Sequence, residues 1–209
     1  MRRVEIGLWA TGAVLLTAAV GVRADAGLYQ WRAGRQLEQV IATPVPGAIA
    51  RPALAEGTPL AKLRIPRLGL EAVVAEGVEE SVLSRAVGHL PSSARPGEIG
   101  NIALAAHRDT FFRPLEGIRV GDLVRLEAPS GTDEYRVEWF SVVAPHDVAV
   151  LAATDHPALT LVTCYPFRYI GPAPERFVVR ARRVGGDPSI APPRPVEARQ
   201  LAPRRGAAP

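Results

Sequence analysis

The sequence has almost no cysteine: Cys164 is the single one among 209 residues. One cysteine cannot form a disulfide within the chain, and it cannot build a zinc site alone. Stabilisation by internal disulfides is therefore excluded. Cys164 is either a small buried hydrophobic residue or a reactive thiol.

Lysine is nearly absent as well. Lys62 is the only lysine among 25 basic residues, and the formal net charge is +4, so the positive charge is almost entirely arginine. The arginines are scattered and are not gathered with aromatic residues into a block, which argues against nucleic-acid binding. A nucleic acid is therefore not predicted as a partner.

Metal and nucleotide motifs are also missing. The sequence contains no glycine-rich phosphate loop, and its histidines lack the paired i, i+4 spacing of a helical metal site. We predict no metal and no other cofactor. The four histidines are His89, His107, His146 and His156.

Charge is missing from a run near the N-terminus, from Ile6 to Val22, which has about the length needed to span a bilayer. Arginines precede this run and favour a cytoplasmic N-terminus, but others follow it. Ala24-Asp25-Ala26 fits a signal-peptidase site, so a cleaved signal peptide is the alternative. We predict an uncleaved single-pass anchor in the cell membrane, with the folded part outside the cytoplasm. The arginines are Arg2, Arg3, Arg23, Arg32 and Arg35.

Composition divides the chain into five segments. We predict a cytoplasmic N-terminus at residues 1–5, the anchor at 6–22, a juxtamembrane stretch and linker at 23–59, the folded domain at 60–184, and a disordered tail rich in proline and arginine at 185–209. Within 60–184, short β-type runs and one helical candidate, Val78 to Val87, predict an all-β closed barrel or sandwich. The predicted strands are Ala61 to Ile65, Leu70 to Val74, Ile102 to Ala106, Leu123 to Ala128, Glu134 to Val143, Leu159 to Thr163 and Phe177 to Val184.

Three polar residues lie at the ends of predicted strands. Cys164 follows the buried run LTLVT and precedes Tyr165-Pro166, where proline ends regular pairing. His107 follows the strand NIALAA, where an imidazole can exchange protons near neutral pH. An arginine near Cys164 would stabilise an oxyanion, but the two-residue period does not choose between Arg176 and Arg180. Most arginines on strands are solvated surface, and Arg180, Arg182 and Arg183 are interpreted in that way.

Several segments resemble the sortase family, most closely the class D sortases: LRIPRLGL, AAHRDTFFRPL and TLVTCYPF followed by PERFVVRA. The resemblance implies an eight-stranded barrel with one or two short helices, a membrane-anchored cysteine transpeptidase, and a catalytic triad of His107, Cys164 and Arg176. It further suggests that Thr163, Ala106 and Tyr165 bind the substrate; Ala106 stands where class D members often have glycine.

The resemblance also implies a reaction and its partners. Cys164 would cleave an LPxTA-like or LPxTG-like C-terminal sorting signal on a secreted protein and form a thioacyl enzyme. The acyl group would then pass to an amine, such as a cell-wall peptide or a pilin lysine. One alternative is a membrane-tethered β-module that binds proteins without catalysis. Another is an L,D-transpeptidase, but the His-Gly-Cys-x-Arg cluster of those enzymes is not present around Cys164.

Overall fold

The computed structural model describes residues 2–41 and 54–184. Its eight strands close into one barrel, with spatial order β1-β2-β3-β4-β7-β8-β6-β5, so the predicted closed eight-stranded barrel is confirmed. The predicted tail, 185–209, and the linker residues 42–53 lie outside the described residues. The strands are β1 Pro59–Ile65, β2 Leu70–Glu76, β3 Val87–His89, β4 Asn101–Ala105, β5 Leu123–Ala128, β6 Gly131–Val143, β7 Ala158–Tyr165 and β8 Glu175–Arg183.

The helices are few outside the N-terminal segment. Helix α1 runs from Arg2 to Ile41 and precedes the barrel, and the single-turn helix α2 lies between β2 and β3. Three 3-10 helices lie in connections, one in each of the β1–β2, β4–β5 and β6–β7 segments. The bounds are α1 Arg2–Ile41, α2 Glu80–Leu83, and 3-10 helices Pro66–Leu68, Arg113–Gly117 and Val148–Leu151.

The helix predicted from Val78 to Val87 is wrong over most of its length. Helix α2 covers only Glu80–Leu83, and Val87 begins β3, a strand that the sequence pattern missed. Three residues are too few to show an alternating pattern. Position 88 has no room for a side chain, because a Cβ on Gly88 would lie 2.4 Å from the Gly77 carbonyl oxygen.

Strand direction gives the barrel two distinct ends. Strands β4 and β7 are parallel, and the antiparallel pairings β7–β8, β8–β6, β6–β5 and β5–β1 make β1 and β6 run in that same direction. The carboxyl ends of these four strands therefore meet at one end, which we call the upper end. Cys164 lies there, near the end of β7.

Alternation along each strand separates the barrel interior from its outer face. In β7 the inward residues Leu159 and Leu161 belong to the hydrophobic core, and Thr163 follows the same period. Thr160, Val162 and Cys164 therefore face outward. Part of this outer face is covered by the β6–β7 connection, because Asn101 Nδ2 donates to the Ala152 carbonyl at 3.2 Å and Thr160 is fully buried.

The first half of α1 exposes apolar side chains on all sides. The helix is long and apolar enough to cross a membrane by length and composition. In water such a surface would be costly, whereas a bilayer would solvate it. The exposed residues include Leu8, Trp9, Val14, Leu15, Leu16 and Val20.

The second half of α1 packs on the outside of β1 and β2. Ala33 and Leu37 are 4% and 3% exposed. The Gln30 side chain accepts a hydrogen bond from the Val73 amide at 2.8 Å and donates to the Arg85 carbonyl at 2.7 Å. Residues 23–41, the first part of the segment predicted as a juxtamembrane stretch and linker, thus continue the apolar helix without a break and pack on the barrel.

A buried polar pair closes the lower part of the barrel. His89 Nδ1 lies 2.7 Å from Glu76 Oε2, and both residues are buried. His89 Nε2 lies 2.9 Å from the Ala94 carbonyl oxygen. That oxygen can only accept, so Nε2 carries the hydrogen of this bond and Nδ1 faces the Glu76 carboxyl group. The pair joins β2 to β3 and to the segment that follows β3.

Replacing Glu76 by alanine should leave Nδ1 of His89 without its partner inside the protein. We expect Glu76→Ala to lower the free energy of unfolding by about 3 kcal/mol. Glu76→Gln should lose less, because its amide can donate to Nδ1. The measurement is urea unfolding of the detergent-solubilised chain, followed by tryptophan fluorescence, to which Trp139 in β6 contributes together with Trp9 and Trp31 in α1.

Glu134→Ala is the control, because Glu134 forms an exposed pair with Arg125 at 2.7 Å. Exposed pairs contribute below about 1 kcal/mol. Equal losses for Glu76→Ala and Glu134→Ala would show that the buried pair contributes no more than a surface pair.

Candidate active site

Cys164 and Arg176 are direct neighbours across two strands. They are register partners in the antiparallel β7–β8 pair, so their side chains emerge on the same outer face about 5 Å apart at Cβ. Cys164 is partly exposed and is a free thiol. Its strand ends one residue later, at Tyr165.

His107 lies on the opposite side of Cys164. Strands β4 and β7 are parallel, with Ala105 paired to Val162. The Ala106 amide then donates to the Val162 carbonyl at 3.3 Å. Extending this register by two residues from Ala105 places His107 beside Cys164. Cys164 and Arg176 are thus direct neighbours, and the extended register would set His107 at the same level, at the upper end of the barrel.

The register also separates the two candidate arginines. Arg180 pairs with Thr160, four residues below the Cys164–Arg176 level, or roughly 13 Å along the strand. Its Nη2 donates to the Val150 carbonyl at 2.7 Å. Arg180 thus holds the β6–β7 connection, and Arg176 is the arginine beside Cys164.

Arg176 is oriented by carbonyl groups at the start of β8 and just before it. Its Nη1 donates to the Ala173 carbonyl at 3.3 Å and to the Glu175 carbonyl at 3.0 Å. A guanidinium has five N–H donors in one plane, so two such contacts leave other donors for a substrate oxygen.

Arg180, Arg182 and Arg183 are not merely solvated surface, as the sequence had suggested. In addition to the Arg180 contact, Arg182 Nε lies 2.7 Å from Glu138 Oε1, and Arg183 Nη2 lies 2.6 Å from Asp133 Oδ1. The alternation of polar residues along β8 did not reveal Glu138 and Asp133 as partners, because both lie on β6.

Two of the predicted substrate-binding residues have buried side chains. Ala106 and Thr163 are 5% and 3% exposed, and both face the barrel interior. Instead of pointing towards a substrate, the Thr163 hydroxyl donates to the Ala106 carbonyl at 2.7 Å. This bond joins the residue before His107 to the residue before Cys164.

Tyr165, the third predicted substrate-binding residue, is half-buried in an aromatic cluster. Its ring centroid lies 6.0 Å from that of Phe167 and 6.2 Å from that of Phe177, and Phe140 lies 5.6 Å from Phe177. The cluster packs at the upper end of the barrel. A substrate contact of Tyr165 stays a prediction.

A groove lies on the outer face next to Arg176. Its volume is about 220 Å³, and it runs between strands β4 and β7 on one side and the β6–β7 connection on the other. Its walls are mainly aliphatic. This groove was not predicted from the sequence, although the run VVAPHDVAVL indicates an apolar segment in the connection. The lining includes Ala105, Val143, Val148, Leu151, Val162 and Arg176.

A carboxylate was also missed. Glu80, the first residue of α2, has its Oε1 3.3 Å from His107 Nε2. Helix α2 follows β2 and is far from His107 in sequence, so only the closed barrel brings the two together. The contact directs one ring nitrogen of His107 towards α2.

Arg67 supports the segment that follows His107. Its Nη2 donates to the Gly117 carbonyl at 2.6 Å, and its Nε donates to Asp122 Oδ1 at 2.5 Å. The hydrogen bond from Arg67 holds the pKa of the Asp122 carboxyl below its usual range. The β4–β5 connection is thereby attached to the β1–β2 turn.

The other histidines do not join the site. His89 is in the buried pair, His156 Nδ1 lies 2.7 Å from Asp155 Oδ1 in an exposed loop, and His146 is exposed. Across residues 2–41 and 54–184, no group of three or more metal-ligating side chains is arranged to hold an ion.

Comparison with known proteins gives the family. The sortase domain model matches residues 63–184 of the chain. The chain belongs to the sortase family. This match covers His107, Cys164 and Arg176, and it confirms the resemblance noted in the sequence.

Individual sortases show the same likeness. Sortase D of Bacillus subtilis (strain 168) is 36% identical over 123 residues, which cover 58% of this chain and 62% of that protein, less than two thirds of its length. The structure of a Clostridium perfringens sortase D5 transpeptidase matches with a TM-score of 0.58 and 30% identity, covering 63% of this chain and 82% of that one. Sortase A from Corynebacterium diphtheriae matches with a TM-score of 0.58 and 25% identity, covering 80% and 87%.

Removing the Thr163 hydroxyl should loosen the backbone next to His107. We expect Thr163→Val to lower the free energy of unfolding by about 2 kcal/mol, because the Ala106 carbonyl loses a buried partner. Thr163→Ser, which keeps the hydroxyl, should cost less than about 1 kcal/mol. Urea unfolding gives the energies, and amide hydrogen exchange at residues 106–108 reports the local effect. Equal stability and exchange in the two variants would contradict the role given to this hydroxyl.

Proposed function

We propose that this sortase is a membrane-anchored cysteine transpeptidase whose catalytic residues are His107, Cys164 and Arg176. The observation that carries the proposal is the β7–β8 register, in which Cys164 pairs with Arg176. The β4–β7 register, continued two residues past Ala105, supports His107 as their neighbour. A thiol, an imidazole and a guanidinium can there act on one carbonyl group.

The first half-reaction would form a thioester. The Cys164 thiolate attacks the carbonyl carbon of a peptide bond, and the developing oxyanion accepts hydrogen bonds from Arg176. His107 gives a proton to the departing amine as the C–N bond breaks. The acyl part of the peptide then remains bonded to the sulfur.

The second half-reaction would release the acyl group. An amine attacks the thioester carbonyl, His107 accepts a proton from it, and the C–S bond breaks to regenerate the thiolate. Water in place of the amine would give hydrolysis. The new peptide bond joins the two substrates, so no cofactor is consumed.

The groove next to Arg176 indicates the substrate class. Its aliphatic walls fit apolar side chains near the cleaved bond. An LPxTA-like or LPxTG-like signal, with leucine and proline, has this character, and such a signal on a secreted protein is the proposed substrate. The proposed acceptor is an amine of a cell-wall peptide or a pilin lysine.

The N-terminal helix supports the proposed location. Its exposed apolar first half fits a span at residues 6–22, with residues 1–5 in the cytoplasm. Residues 23–59 would join the anchor to the catalytic barrel at 60–184, and 185–209 would be a disordered tail. The barrel would then work outside the cytoplasm.

Incubating the detergent-solubilised chain with sorting-signal peptides should produce a covalent adduct. We expect its mass to increase by that of the peptide segment up to and including the threonine, and hydroxylamine should remove it. Peptides ending in LPxTA and LPxTG show which final residue is preferred, and a scrambled peptide is the control.

Cys164→Ala should form no adduct. If the unchanged chain also forms none with any peptide, the barrel is better described as a tethered binding module. An adduct that persists in Cys164→Ala would place the nucleophile elsewhere.

Replacing the guanidinium group of Arg176 by an ammonium group should slow acylation. We expect Arg176→Lys to lower kcat about 100-fold, because a single ammonium cannot reproduce the planar donors beside the oxyanion. Arg180→Lys, on the same strand but at the Thr160 level, should change kcat less than threefold. The kcat values come from steady-state cleavage of a sorting-signal peptide in the presence of an amine acceptor, and the appearance of the adduct with time gives the acylation rate. Similar losses in the two variants would contradict the assignment of Arg176.

A further inference from the structure

The connection between β7 and β8 joins Cys164 to Arg176. It spans residues 166–174 and contains neither helix nor strand. Its tip is open to solvent, with Tyr169 46% and Ile170 100% exposed. A segment of this kind has little internal support, yet its two ends must keep the thiol and the guanidinium in place.

A single side chain binds this connection at three points. Arg108 Nη1 donates to the Pro166 carbonyl at 3.0 Å, and Nη2 donates to the carbonyls of Tyr169 at 2.8 Å and Gly171 at 3.2 Å. The Arg108 guanidinium carbon also lies 5.7 Å from the centre of the Tyr169 ring. Only the planar fork of arginine can serve acceptors spread over this distance.

The position of Arg108 in the chain gives this contact its importance. Arg108 directly follows His107, so the bonds fix the His107 segment to the connection. They begin at Pro166, two residues after Cys164. They end at Gly171, shortly before Ala173, whose carbonyl orients Arg176. The three proposed catalytic residues are thereby joined through one guanidinium.

We propose that Arg108 is a positioning residue: its guanidinium orders the β7–β8 connection and so sets the geometry of His107, Cys164 and Arg176. This inference rests on the proposed function, since it concerns the same reaction. In this role Arg108 acts on the connection and not on the substrate. Its bonds to the carbonyls of Pro166, Tyr169 and Gly171 order the connection, and the ordered connection keeps the Ala173 carbonyl where it orients Arg176.

The test compares Arg108→Ala with Arg168→Ala. Arg168 lies on the same connection, but it is exposed and pairs with Glu116 at 3.2 Å, so its loss removes an arginine and leaves the three bonds intact. Kinetics with an LPxTA or LPxTG peptide give kcat and KM. Amide hydrogen exchange of residues 167–174 gives the order of the connection without any need for activity.

Arg108→Ala should lower kcat about 10- to 100-fold with KM changed less than threefold, because a small displacement of reacting groups is costly. Exchange at residues 167–174 should be at least tenfold faster. Arg168→Ala should stay within threefold of the unchanged chain in all three quantities. Arg108→Lys should lie between, and added guanidinium ion should restore part of the activity of Arg108→Ala.

Two results would overturn the inference: exchange in Arg108→Ala equal to that in Arg168→Ala, or faster exchange with an unchanged kcat. If Arg108→Ala does not fold, Arg108→Lys takes its place in the test. Its kcat must then be lower, and its exchange at residues 167–174 faster, than those of Arg168→Ala. If the unchanged chain forms no adduct, the proposed function fails, and the exchange data still decide whether Arg108 orders the connection.

Discussion

The pairing of β7 on both sides is the constraint on which the site depends. Its antiparallel register with β8 pairs Cys164 with Arg176, and its parallel register with β4, continued two residues past Ala105, would bring His107 to the same level. A shift of one residue in either pairing would turn Cys164 away from its neighbours, because side chains alternate between faces. The inward residues Leu159 and Leu161, fixed in the core, prevent such a shift.

Much of the barrel could be predicted from the sequence, because seven of its strands carry long apolar or alternating runs. Strand β3 could not, since three residues contain no period and since the valines at 78, 82 and 87 imitate a helix. The positions of Cys164 and His107 at strand ends were likewise readable. The strand period alone left Arg176 and Arg180 open, and the resemblance favoured Arg176. The register, which depends on pairing rather than on local pattern, sets Arg176 opposite Cys164.

The supporting contacts were the least predictable part. The hydroxyl of Thr163 and the guanidinium of Arg108 act on carbonyl groups, which every residue carries and which leave no trace in the sequence. Arginine repeatedly makes contacts of this kind here: Arg67, Arg113 and Arg180 each donate to the carbonyl of a loop residue or connection. A chain with one lysine thus uses its many arginines largely to hold irregular segments in place.

Helix α1 has a consequence for the distance between the barrel and a membrane. From Tyr29, bonded to the Gly57 carbonyl, to Glu38, paired with Lys62, it runs alongside β1 in the same direction, and therefore towards the upper end. With the apolar half of α1 in a bilayer, the catalytic face would point away from the lipid. The helical segment from Val22 to Glu38 measures roughly 24 Å. A rigid helix, rather than a flexible tether, would then set the distance between the barrel and the membrane, so both substrates would have to meet at one fixed distance from the bilayer.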